Sequence, residues 1–198
     1  MNEIKALKNL NENQISKNTG LPPNWLLMPL GDIMVKGGGS VDPSKFSEEL
    51  FDLYSIPSYD AQEPEVLRGS EIGSTKKVVQ THDVLLSRIV PHIQRSWVVG
   101  PTKGRRQIGS GEWIIFRSPA FIPKFLRFFL LSYSFHKKLM TTLSGVGGSL
   151  TRANPNQVAT FCCPLPPIQE QSRIVTEIEE LFSRLDAGVD SLKKAQAQ

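Results

Sequence analysis

The chain has 198 residues, 39% of them hydrophobic, and a formal net charge of +4. That is enough apolar material for one globular core plus an extended helix, and too much for a disordered chain. No apolar run approaches the eighteen residues of a membrane span, and the polar, Asn-rich stretch Met1 to Gly20 lacks the apolar centre of a signal peptide, so a cytoplasmic protein is expected.

In chain order, Ile4, Leu7 and Leu10 form one weak helical pattern, and residues 1–20 read as a short N-terminal arm. Trp25 to Leu30 predicts a first strand. Lys36-Gly37-Gly38-Gly39-Ser40 is a loop, but without the Gly-Lys-Ser/Thr ending that places a lysine on phosphates it is not a nucleotide-binding loop. β-branched and apolar runs then recur between turn signals at Phe51 to Ile56, Val78 to Gln80, Val84 to Ile89, Trp97 to Val99 and Trp113 to Phe116, predicting a strand-rich domain. Gly100-Pro101-Thr102-Lys103-Gly104-Arg105-Arg106 joins two of these runs and sets three bases at an exposed tip. Pro123 opens a stretch that is apolar on most faces through Met140 and Leu143, which predicts one buried helix whose aromatic residues are core. Val158 to Cys163 predicts a last strand. Cys162 and Cys163, adjacent in an apolar run, read as buried thiols and exclude a disulfide framework.

Pro164, Pro166 and Pro167 hold the following segment extended, and a proline in a first helical turn gives up no hydrogen bond, so a helix is expected from about Pro167 to the end. Residues 168–198 would span roughly 46 Å. Ile174, Ile178, Leu181, Leu185, Val189 and Leu192 recur at steps of three and four, the narrow seam of a coiled coil. Such a seam is covered either by a partner helix or by the chain's own domain. Gly188 interrupts it, costing about 1 kcal/mol relative to alanine or permitting close helix approach.

Charge is unevenly spread. From Asp42 to Glu71 eight acids face two bases, a net of −6, whereas from Lys76 to Arg152 thirteen bases face Asp83 and Glu112, a net of +11. A polyanionic partner and a solvated basic face both account for the second segment. His82, His92 and His136 are scattered and no Cys or His pair has zinc-ligand spacing. Nor does any spacing nominate a nucleophile with its base, a carboxylate and lysine set for magnesium, or the Asn-Pro-Pro-aromatic turn of an adenine methyltransferase. Asn154-Pro155-Asn156-Gln157 carries only its first two letters.

The proline-led helix, with Leu21-Pro22-Pro23-Asn24-Trp25, Leu30-Gly31-Asp32-Ile33, Tyr54-Ser55-Ile56-Pro57-Ser58-Tyr59, Asp83 to Ile89 and the loop Ser144 to Arg152, resembles the specificity (S) subunit of type I restriction-modification systems. The resemblance covers roughly residues 21–192. It implies an α+β fold: a strand-rich DNA target-recognition domain over 21–163 and a conserved helix over 164–198 for dimerisation and assembly. It also implies a non-catalytic adaptor that binds double-stranded DNA and docks methyltransferase and restriction subunits, with S-adenosylmethionine, ATP and magnesium held by those partners and no cofactor of its own. Specificity subunits usually carry two recognition domains and two helices. One of each here fits a natural half-subunit, a truncated product or a fragment, and two copies pairing their helices would make a homodimer. The expected DNA-binding residues are Lys76, Lys77, Arg88, His92, Arg95, Lys103, Arg105, Arg106, Gly147, Gly148, Ser149, Thr151 and Arg152. The alternative is a helix-mediated assembly or regulatory protein that does not read DNA; an enzyme, a nuclease or methyltransferase fragment, is the third possibility.

Overall fold

The structure is a computed structural model and describes residues 20–144 and 151–196. The expected arm, apart from Gly20, and the loop residues Gly147, Gly148 and Ser149 lie outside the described residues. The chain runs through β1 (Leu26–Pro29), a helical turn α1 (Leu30–Ile33), β2 (Ser40–Val41), β3 (Leu50–Tyr54), β4 (Glu65–Arg68), β5 (Lys76–Val78), β6 (Val84–Ser87), β7 (Ser96–Val98), β8 (Arg106–Gly109) and β9 (Trp113–Phe116). It continues through α2 (Pro123–Leu131), α3 (Tyr133–Met140), β10 (Leu143–Ser144), β11 (Arg152–Ala153), the turn α4 (Pro155–Val158), β12 (Cys162–Leu165) and the long α5 (Ile168–Gln196). This is the expected α+β architecture.

A five-stranded sheet has the order β2-β5-β8-β3-β4, and a three-stranded sheet the order β7-β6-β9. Period-2 alternation makes the three-stranded sheet a wall between two cores. Val84, Leu86, Ile114 and Phe116 face a core shared with Phe125, Leu126 and Leu130 of α2. Leu85, Trp97, Trp113 and Ile115 face an aromatic core with Tyr54. Trp113 is fully buried, and its indole N–H donates to the Tyr54 carbonyl at 2.7 Å. The strand runs are continuously apolar because both faces are covered. Full burial of each large side chain contributes about 1.5–3 kcal/mol.

β1 pairs antiparallel with β12, Leu26 opposite Leu165 and Pro29 opposite Cys162, so the chain joins and leaves the domain side by side. Between them, Gly31 donates its N–H to the Ala159 carbonyl at 2.9 Å, and a Cβ at this position would lie 2.9 Å from the same oxygen. Glycine at residue 31 is a close-approach requirement.

Three expectations need correction. The helix expected through Leu143 is two helices, because Ser132 leaves helical geometry (ψ 148°) and its hydroxyl accepts from the Phe135 N–H to start α3. The last strand is Cys162–Leu165 rather than Val158 to Cys163: Asn154 caps a helical turn through the Asn156 N–H at 2.9 Å and Pro155 occupies its first position, which draws Val158 into that turn. Cys163 is buried, its thiol pushed above the ordinary range by burial, but Cys162 is only half-buried.

Helix α5 behaves as two pieces. Its first three turns pack on the domain: Gln171 and Val175 are buried, and the Gln171 amide donates to the Ala120 and Pro166 carbonyls while accepting from the Ile122 N–H. Trp25 Nε1 donates to Glu170, and Lys124 bridges to Glu179. Beyond Glu179 every described residue is exposed, including Leu181, Phe182, Leu185, Val189 and Leu192. The seam is thus covered by the domain at Ile174 and Ile178 and bare thereafter. Where the two regimes meet, Phe128 and Leu131 of α2 and Ile178 and Phe182 of α5 line an open groove of about 830 Å³.

Candidate nucleic-acid interface

Six of the expected DNA-binding residues flank β7, a strand of three residues that spans roughly 10 Å. At the end leading into it lie Arg88, His92 and Arg95. At the end leading out lie Lys103, Arg105 and Arg106.

At the leading end, main-chain bonds stitch three segments together. The Arg88 N–H donates to the Glu112 carbonyl at 3.0 Å, the Ala153 N–H to the Arg88 carbonyl at 2.7 Å, and the Val90 N–H to the Thr151 carbonyl at 3.0 Å. Val90 holds φ at 48°, a left-handed conformation that a β-branched residue rarely adopts and that costs on the order of 1–3 kcal/mol. The strained loop it anchors presents His92 and Ile93 to solvent.

Side chains converge at the same place. Arg152 donates to Glu112 from Nη2 at 2.9 Å and from Nε at 3.1 Å, and Arg88 Nε stands 3.3 Å from the same carboxylate. That last contact is an ion pair without hydrogen-bond alignment, since the buried Arg88 Nε has no acceptor among the described residues. Lys77 is half-buried, donates to the Trp113 carbonyl at 2.7 Å, and is held below the ordinary lysine range by burial and then by the nearby Arg88 charge. Glu112 in turn raises Arg152 through its hydrogen bond. Three cations, Lys77, Arg88 and Arg152, therefore surround one carboxylate. Lys76 is also lowered by burial, and its Nζ donates to the Ser74 carbonyl at 3.0 Å.

At the trailing end the balance is different. Arg105 pairs at 2.6 Å with Asp52, whose side chain is 3% exposed. Arg106 opens β8, forms a two-point pair with Glu49, and lies over the Phe46 ring at 4.1 Å. Neither arginine is a free tip residue; each is paired with an acid from the strongly acidic segment. Lys103 is exposed.

Two further basic residues are tied internally. Arg117 forms a two-point pair with the fully buried Asp83, and Arg127 donates to the Ser96 carbonyl. Glu112 is the residue that sequence reasoning missed. Its signal was its position as one of two acids among the thirteen bases between Lys76 and Arg152. Among the described residues no group of three or more His, Cys, Asp or Glu side chains is placed to hold a metal, and no helix is long and apolar enough to cross a membrane.

No protein-family model matches the chain, and no curated protein matches it. Solved structures do. The HsdS subunit from Thermoanaerobacter tengcongensis is similar at 26% identity and TM-score 0.74, over 89% of this chain and 46% of that one. A chain from a structure concerned with complex assembly and conformational transition of the type I R-M system is similar at 27% identity and TM-score 0.74, with the same coverage. The chain spans about half the length of the solved subunits it matches, and it has the structure of one half of a type I specificity subunit.

Proposed function

We propose that this chain is a DNA-recognition subunit of a type I restriction-modification complex, one that reads part of a divided target and docks the methyltransferase and restriction subunits. The observation that carries this reading is the match to HsdS over 89% of the chain. The exposed helix of the second half of α5 supports the assembly role.

In this reading DNA approaches the leading end of β7. Lysine and arginine contacts to phosphates set position, and arginine against guanine supplies discrimination of about 1–3 kcal/mol per base. Arg88, Arg95, Thr151 and Arg152, with His92 on the strained loop, are the base-reading candidates, and Gly147, Gly148 and Ser149 are kept as proposed DNA contacts. Lys76 and Lys77 serve the phosphates. Lys103, Arg105 and Arg106 form a second, more distant contact. The bare seam of Leu181, Leu185, Val189 and Leu192, which continues Ile174 and Ile178, takes a second copy in antiparallel pairing. The dimer sets two identical readers apart on an inverted repeat.

The test is co-expression with the neighbouring methyltransferase subunit and mapping of modified adenines across host DNA. Methylation at an inverted-repeat motif is the expected result. A stable complex that methylates nothing overturns the reading of a working half-subunit. The internal pairing of Arg105 and Arg106 favours the second reading, an assembly protein that does not itself read DNA; salt-dependent, sequence-selective binding by the purified chain separates the two.

A further inference from the structure

We infer that Glu112 is a specificity-determining positioning residue, holding Arg88 and Arg152 as oriented base readers and keeping them from acting as loose phosphate binders. The inference rests on the DNA-reading function proposed above.

A base-reading arginine must present its planar fork at one angle, whereas a phosphate-binding arginine tolerates many. A flexible guanidinium on a DNA-facing surface drifts to the nearest phosphate, because that contact is gained at every sequence. Something must hold the side chain away from the backbone without burying its charge. Glu112 meets that requirement. It takes Nε and one Nη of Arg152 at 2.9–3.2 Å and draws Arg88 Nε to 3.3 Å. The arginine side chains remain about one third exposed, at 33% and 32%.

The main chain that carries the carboxylate is itself fixed. The Glu112 main chain accepts from the Arg88 N–H, and its N–H donates to the Ser110 hydroxyl. Its neighbour Trp113 is locked in the aromatic core. Arg88 and Arg152 are joined through the Ile89 to Arg152 bridge, so both guanidiniums start from one rigid platform. The charge count matters as much as the geometry. With Lys77 beside them the three cations exceed Glu112 by two, so the cluster still attracts DNA while two of its members are held.

This arrangement predicts an effect opposite to that of losing an ordinary structural ion pair. In Glu112→Gln the local excess rises by one charge and the guanidiniums are released. Binding to non-specific duplex should tighten several-fold, and the slope of log affinity against log salt should steepen by about 1, as one further phosphate is engaged. Discrimination should fall tenfold or more at one or two base positions. Arg88→Lys keeps the charge and loses the fork; its salt slope should stay unchanged while discrimination falls at one position.

The experiment selects binding sequences from a random duplex library with the purified wild-type chain and both variants. It also titrates each with a fixed non-specific duplex over a salt series. Wild type enriching a motif, with Glu112→Gln binding non-specific DNA more tightly and enriching a degraded motif, is the expected result. An undegraded motif in Glu112→Gln, or weaker non-specific binding by it, overturns the inference while leaving the DNA-reading function standing. If Glu112→Gln does not fold, Arg88→Lys decides, and an unchanged motif there overturns the inference as well. Wild type that enriches no motif overturns the DNA-reading function and this inference with it.

Discussion

The two ends of β7 carry arginines of different standing. At the trailing end each arginine has its own acid, Arg105 with Asp52 and Arg106 with Glu49, and those charges cancel within the fold, while Lys103 is exposed. At the leading end Arg88 and Arg152 share Glu112 with Lys77 beside them, and positive charge is left in excess. Equal richness in arginine thus conceals one region whose arginines are paired one to one within the fold and one that keeps an excess of positive charge. An arginine is informative about binding only when its partners have been counted.

The sharpest way to break this comparison is Arg105→Ala. Asp52 is 3% exposed, and stranding a buried carboxylate costs roughly 3 kcal/mol. Urea denaturation should show that loss, while the folded fraction at low temperature keeps its binding motif. A stable variant with altered DNA preference would reverse the assignment of the two ends. Arg106→Ala should cost less, about 1 kcal/mol, since its pair with Glu49 is partly solvated and its stacking on Phe46 is the remainder. Arg88→Ala should change stability by no more than about 1 kcal/mol, because Glu112 keeps Arg152 and the pair is one third exposed. It should still weaken selective binding in the same titrations.

The smallest effect is one of pH. Burial holds Lys77 below its ordinary value of 10.5, so the folded chain releases this proton at lower pH than the unfolded chain. Between the two values the unfolded state binds more protons, and stability rises with pH through that window. Lys77→Met should flatten the rise, measured as urea midpoints over the alkaline range below pH 10.5. Tyr54, raised above 10.0 by burial, acts in the opposite sense at higher pH and provides an internal contrast.

The helix offers a second contrast within one element. Ile174 and Ile178 meet the domain, whereas Leu185 lies in the exposed half of the helix with 60% of its surface exposed. Leu185→Glu should leave thermal stability of the domain within about 0.5 kcal/mol while halving the mass seen by sedimentation at high protein concentration. An unchanged mass would remove the bare seam from the proposed dimer.

Much of the fold was legible along the chain. The runs around β3, β6, β7 and β9 stood out because strands covered on both faces need continuous apolar sequence, and α5 announced itself through Pro167 and the three-four spacing that follows. The short strands β2, β10 and β11, two residues each, carried no such signal. The break at Ser132 was hidden because apolar residues on most faces mask the loss of register between α2 and α3. Of the candidate site, the residue types were legible and their grouping was not. Arg105 and Asp52 are 53 residues apart and Arg106 and Glu49 are 57, and no local pattern says that β3 and β8 will run parallel side by side.

What the sequence determined by itself was therefore whatever depends on near neighbours: strand and helix periodicity, the proline-led start of α5, and the identity and excess of the basic side chains. Tertiary structure alone decided which of those charges cancel. It brought the acidic segment against Arg105 and Arg106 through the parallel pairing of β3 with β8, and left Arg88 and Arg152 to a single carboxylate. The physical reason is range. Backbone preference and amphipathic spacing act over a few residues of chain, whereas an ion pair acts over a few ångströms of space, and only the completed fold converts one distance into the other.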